Sequence, residues 1–247
     1  MQISDTPVFL DAVTEAGADD EKVIHRGTGS GQRRYPAGQE TRAGLRLWRR
    51  ALPFVPRSIL ESAVFLYQSE EDAHSGTRWG GSGFLVVMWI GGRGEPVDPV
   101  FCHRFAVTND HIVTGAQAPV LRIIRADKKV QIVDGSDKWE SHPHGDDVAV
   151  RYLAIVAGRD YNFFHWGQFL YPYQLTVNGI GPGDNCLMVG RFGQPWTNRQ
   201  LDRPVLRVGN LAMLPEKIRQ RGRGFDQESY LVDMRSISGF IGSAVLV

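Results

Sequence analysis

From Ser58 to the last residue the chain is divided into short β-branched and aromatic runs, each bounded by Gly, Pro, Asp or Ser. SAVFLY (Ser62–Tyr67), GFLVVMWI (Gly83–Ile90), FAVTN (Phe105–Asn109), VLRIIRA (Val120–Ala126), KVQIVD (Lys129–Asp134) and DVAVRYL (Asp147–Leu153) form a first set. After a linker near Ala157 to Gly167 a second set follows: QLTVNG (Gln174–Gly179), NCLMVGR (Asn185–Arg191), VLRVGNLAML (Val205–Leu214), SYLVDM (Ser229–Met234) and SAVLV (Ser243–Val247). Side chains branched at Cβ and flat rings suit a pleated, half-buried surface, and the bounding residues supply the turns. Strands at this spacing, with no helical period between them, predict an all-β protein. The two sets, of six and five runs, predict two antiparallel barrels, over residues 58–157 and 158–247.

Residues 1–57 read differently. The stretch Gly27–Gly44 is nearly devoid of apolar side chains, so it has too little surface to bury against the entropy of ordering. It predicts a flexible arm with short helices on either side, one of them over Leu45–Leu52, where Leu45, Trp48 and Leu52 share a helical face and Pro53 stops the run.

A formal net charge of +1 gives no electrostatic reason for nucleic acid or an anionic membrane surface. The longest apolar run, Phe84–Ile90, falls far short of the roughly 20 residues that a membrane-spanning helix needs. Cys102 and Cys186 exclude a disulfide-dense scaffold; two buried free thiols are the simpler reading and one bridge the alternative. The N-terminus lacks a basic segment followed by a long apolar one, so the expectation is a cytoplasmic protein without a signal peptide.

Three segments carry the chemistry. FAVTNDHIV (Phe105–Val113) is a strand running into a turn that presents His111, and in GDDVAV (Gly145–Val150) Asp147 opens a strand. SGFIGSAV (Ser238–Val245) is a turn bounded by glycines that feeds a strand. Each is weak alone, since a histidine at a strand end or an aspartate in a turn is commonly structural.

In this order the three segments resemble those of trypsin-like serine peptidases, closest to the bacterial HtrA-like branch. That family has a strand of the form small-Thr-x-x-His, here Val107 to His111, and an upstream Gly-x-Gly-Phe strand, here Gly81 to Phe84. Its aspartate precedes a hydrophobic-Ala-hydrophobic strand, here Asp147 to Val150. The third motif has the form Gly-x-Ser-Gly-(Gly or Ser)-Pro, here Gly239 to Ala244. The resemblance covers about residues 60–247. It implies an all-β fold of two antiparallel six-stranded barrels, a catalytic set of His111, Asp147 and Ile241, and an oxyanion hole made by the backbone N–H groups of Gly239 and Ile241. It implies no cofactor and no metal, and as partner a polypeptide substrate or an extended peptide ligand, not nucleic acid or membrane.

One departure outweighs the match. The nucleophile position holds Ile241, which has neither a nucleophilic atom nor a proton to give, and adds branched bulk where a substrate carbonyl would sit. Two functional expectations follow from different classes. One is a serine endopeptidase inactivated at a single position; the other is a pseudopeptidase that grips an extended peptide by strand addition without cutting it. Ser243 and Ser238 are the neighbouring hydroxyls, but the family geometry aims position 241 at the histidine. Ala244 stands where the family has proline. The family continues past this motif with further strands, so the second barrel is expected to be incomplete at Val247, with an open sheet edge or another segment in that place.

Other features weigh less. Arg235 occupies the position where the family places its specificity-pocket floor, with a solvent-facing arginine the competing reading. His142, His144 and Asp146 are compact enough for a metal, but no further ligand pair supports zinc, and a turn is the simpler account. Arg219–Arg223 reads as a solvated loop. The aromatic run Tyr161–Tyr173 is expected to pack where the barrels meet, or to offer a peptide-binding surface where exposed.

Overall fold

The computed structural model describes residues 55–89, 102–115, 117–134, 139–154, 161–191, 204–219, 226–234 and 239–247. The arm expected over residues 1–57, with its Leu45–Leu52 helix, lies outside these apart from its last three residues.

The first half is built around one strand. β1 (Ala63–Tyr67) is buried at all five positions, so it has no solvent face. Val64 and Leu66 point one way, into a core with Leu85, Ala106, Leu121, Ile123 and Ala149. Phe65 and Tyr67 point the other way, onto Ala73 and Val120. Burying one such large apolar side chain contributes about 1.5–3 kcal/mol, so a strand with four of them belongs at the centre of its sheet. It lies there, between β2 (Trp79–Trp89) and β4 (Val120–Ile124). β3 (Cys102–Thr108) follows β2, β5 (Val130–Val133) flanks β4, and β6 (Glu140–Ser141) and β7 (Ala149–Tyr152) close the order β5-β4-β1-β2-β3-β7-β6. All these pairings are antiparallel; the short β8 (Phe164–His165) adds to β2 in parallel.

The second sheet contains β9 (Asn185–Arg191), β10 (Pro204–Arg219), β11 (Asp226–Asp233) and β12 (Val245–Leu246), in the order β11-β10-β9-β12. Its core holds Leu175, Cys186, Leu211 and Tyr230. Pro56 to Val247 form one compact unit that includes both sheets. A strong link between them is Arg191, 7% exposed at the end of β9. Its guanidinium lies 5.7–5.9 Å from the ring centroids of Phe65, Tyr67 and Trp79 and donates to the Tyr67 hydroxyl at 2.5 Å. A buried cation thus trades water for three ring faces and a hydroxyl.

The protein is all-β with two antiparallel sheets, as the strand pattern predicts. Among the described residues the strands divide eight and four rather than six and six. Part of the difference lies in Gln174–Gly179, expected as a strand and found as a helix. It begins at Pro172, whose missing N–H suits a first helical turn; the Gln174 side chain accepts the Tyr171 N–H at 2.7 Å, and Gly179 ends the turn in the left-handed region at φ 66°. The caps outweigh the strand preference of Thr176 and Val177. A second helix not anticipated, Glu70–Ser75, starts at Ser69, whose hydroxyl accepts the Asp72 N–H, and ends at Gly76. No helix among the described residues is long and apolar enough to cross a membrane.

Candidate active site

β3 pairs with β7 so that Thr108 faces Ala149. Beyond Thr108 the chain leaves the ladder and winds one helical turn, Asp110–Val113, which buries Ile112 and Val113 and turns His111 outward. The register sets Asp147, two residues before Ala149, beside that turn. Its carboxylate takes the His111 backbone N–H on Oδ1 at 2.9 Å and meets the ring Nδ1 with Oδ2 at 2.5 Å. The Asn109 side-chain amide donates to the Asp147 backbone carbonyl at 2.8 Å, fixing that residue from the other side. One carboxylate therefore holds both the main chain and the ring of the histidine. With Asp147 ionised, Nδ1 carries the proton and the neutral ring keeps its lone pair on Nε2, the atom a general base uses. The histidine side chain is 42% exposed and the aspartate side chain 16% exposed, so the ring meets solvent while its partner is mostly covered.

The third segment is a turn of backbone hydrogen bonds. The Ser243 N–H donates to the Phe240 carbonyl at 3.0 Å, and the Arg191 N–H donates to the Gly239 carbonyl at 3.0 Å. Gly239 and Gly242 adopt φ 107° and 85°, a region that side chains rarely enter. At Gly242 there is also no space: a Cβ would lie 2.2 Å from the Ser82 carbonyl and 2.3 Å from the Thr108 hydroxyl. Ile241 is 45% exposed, and its carbonyl accepts the Ser82 N–H at 2.8 Å. The side chain at 241 is thus presented outward from a turn held by its main chain.

Ser243 is buried, and its hydroxyl lies 2.7 Å from where a Cβ on Gly190 would be, so it is packed toward β9. Ser238, Arg235 and most of Arg219–Arg223 lie outside the described residues. His142 Nδ1 meets Asp146 Oδ2 at 3.3 Å and His144 stacks edge-on to it, but no three His, Cys, Asp or Glu side chains converge among the described residues. Cys102 and Cys186 are both free and buried; burial pushes the Cys186 thiol up to about 11, leaving it protonated and inert at neutral pH. The aromatic run from Tyr161 is divided in its environment: Phe164 is buried against Phe84 edge-to-face, while Tyr173 is exposed. A cavity of about 190 Å³ adjoins the site, lined by Phe84, Val107, Phe164, Phe169 and Leu246 and bordered by Asn109 and Gly242.

Sequence reasoning treated Gly81–Phe84 as a strand motif and overlooked Ser82 as part of the site. The signal was a serine between two glycines within a strand.

No family model and no curated protein matches the sequence. Among solved structures, the chain is similar to Deg5, with a TM-score of 0.46 and 17% identity over 86% of this chain and 82% of that one. It is also similar to the apo MamO protease domain from Magnetospirillum magneticum, with a TM-score of 0.41 and 12% identity over 76% of this chain and 79% of the other. Likeness at this level carries no argument about function.

Proposed function

We propose that the chain is a serine endopeptidase-type protein in which His111 and Asp147 are the general base and its orienting carboxylate, and Ile241 stands where the nucleophile belongs. The domain assignment that goes with this is an arm over 1–57, a first barrel over 58–157 and a second over 158–247. The observation that carries the reading is the two-point grip of Asp147 on His111, through the main-chain N–H and Nδ1. A merely structural aspartate needs only one of these bonds, whereas a base that must return a proton along one line needs its ring fixed. In this reading the N–H groups of Gly239 and Ile241 line the oxyanion hole, and the chain forms no acyl-enzyme because position 241 offers no oxygen.

A second reading, a pseudopeptidase that binds an extended peptide without cleaving it, is favoured by the exposed apolar side chain of Ile241 and by an apolar cavity bordered by the next residue, Gly242. The two separate in one experiment: fluorophosphonate labelling and casein cleavage by the protein and by Ile241→Ser. If only the variant labels and cuts, the peptidase reading stands. If both are folded and inert, and a peptide nevertheless binds, the module reading replaces it. Labelling of the unsubstituted chain would sink both, because another serine would then be the nucleophile.

A further inference from the structure

We propose that Ser82 is the positioning residue of this site, the side chain that fixes the 239–242 turn against the strand leading to His111. The inference rests on the peptidase-type reading above for its catalytic consequence, though not for its geometry. β2 is laddered to β3 from Phe84 onward, where Phe84 faces Val107. Two residues earlier, at Ser82, β3 has ended with Thr108 and the chain turns to place His111, so on that side the main-chain groups of Ser82 face no ladder strand. The Ser82 N–H instead donates to the Ile241 carbonyl at 2.8 Å, and its carbonyl accepts from the Thr108 hydroxyl at 2.7 Å. Its own hydroxyl donates to the Gly239 carbonyl at 2.7 Å. Ser82 is completely buried, so none of these groups has water as an alternative.

The Gly239 carbonyl also takes the Arg191 N–H, which occupies its second acceptor direction. The Ser82 hydroxyl therefore decides how the Gly239–Phe240 peptide plane is turned, and its N–H fixes the carbonyl two residues later. Ser82 thus holds, with its hydroxyl and its N–H, the peptide units on either side of the Phe240–Ile241 unit, and that middle unit carries the Ile241 N–H. Thr108, three residues before His111, holds the same serine from the other side. The arrangement makes Ser82 the link between the dyad and the turn.

Two measurements test this, with different dependence on the functional reading. In the chain as it stands, Ser82→Ala should speed hydrogen exchange at the Ser243 amide about tenfold, the effect of losing one buried hydrogen bond. The amides of Val86 and Phe105, in the intact ladder, should keep their rates. An unchanged Ser243 rate overturns the proposal. In an Ile241→Ser background, Ser82→Ala should lower kcat about tenfold with KM within about twofold, and Ser82→Thr, which keeps the hydroxyl, should restore it. Equal losses in the Ala and Thr variants would also overturn it. Should Ser82→Ala fail to fold, Thr108→Val removes one bond to Ser82 and is expected to raise the Ser243 exchange rate by a smaller factor; no rise there counts against the proposal. If Ile241→Ser is inactive while Ser243 exchange rises, the functional reading fails and the role of Ser82 stands. If Ile241→Ser is active while exchange is flat, the opposite holds.

Discussion

The two halves of the candidate site are built by different means. His111 and Asp147 depend on side chains: the carboxylate meets the ring and the His111 N–H, and the Asn109 amide holds the Asp147 main-chain carbonyl. The turn around Ile241 depends on main chain: three of its own carbonyls are held, two of its residues are glycines in left-handed conformations, and the side chain at 241 bears none of the load. The contrast teaches that the turn is held independently of which side chain stands at 241. An isoleucine faces solvent, and no bond in the turn requires a hydroxyl at that position.

The largest effect that would break the contrast is gain of activity at 241. Ile241→Ser should raise peptide hydrolysis by a factor on the order of 10⁴–10⁶. In that background Asp147→Asn should reduce kcat by about 10⁴, because a carboxamide stabilises the wrong tautomer of the ring. Stopped assays on a chromogenic peptide check both. A flat response to Asp147→Asn in an active Ile241→Ser protein would mean that the side-chain half does not do the chemistry.

The main-chain half is sharpened by Gly242→Ala. A methyl group there meets the Ser82 carbonyl and the Thr108 hydroxyl at a positive φ, and the expected loss is about 3 kcal/mol or more by urea unfolding. By contrast, Ile241→Ala should move stability by less than about 0.5 kcal/mol, as for other exposed positions. Similar costs at both positions would show that the side chain at 241 carries structure after all.

Between the sheets, Arg191→Met keeps length and removes the cation and its bonds. The expected cost is about 2 kcal/mol, read as a lowered Tm, since three ring contacts and two hydrogen bonds are lost from a buried place.

The legibility of the chain follows the same division. Runs whose character is local were readable: NCLMVGR (Asn185–Arg191) is β9 to the residue, and VLRIIRA (Val120–Ala126) contains β4 and overruns its end by two residues. His111 and Asp147 stood out as strand-end residues whose segments have a recognisable order. Contacts made across long separations were not. Ser82 bonds Gly239 over 157 positions and Arg191 reaches Tyr67 over 124, and no short window of sequence carries either pairing. The helix Pro172–Asn178 was missed for the reverse reason: its interior reads as strand, and the residues that decide it sit at its two ends.

The smallest effect concerns pH and lies away from the site. The Ser69 hydroxyl above all, opposed by burial and supported by Thr77 and Arg78, holds the Asp72 carboxyl below its ordinary value of 3.8. A carboxyl lowered in the folded state contributes stability above its unfolded pKa and loses it as pH falls through the folded one. The acid limb of a Tm-against-pH curve below about pH 4 should therefore be shallower in Asp72→Asn than in the parent. Identical limbs would show that the carboxyl does not couple to folding.

The main-chain hold on the turn makes position 241 a mount whose height and direction are set independently of what it carries. Cysteine, a photocrosslinking residue or a fluorescent amino acid placed there would be displayed from the same backbone, open to solvent. Each would report on whatever approaches the turn from solvent. The turn is thereby a fixed port on the surface of the protein.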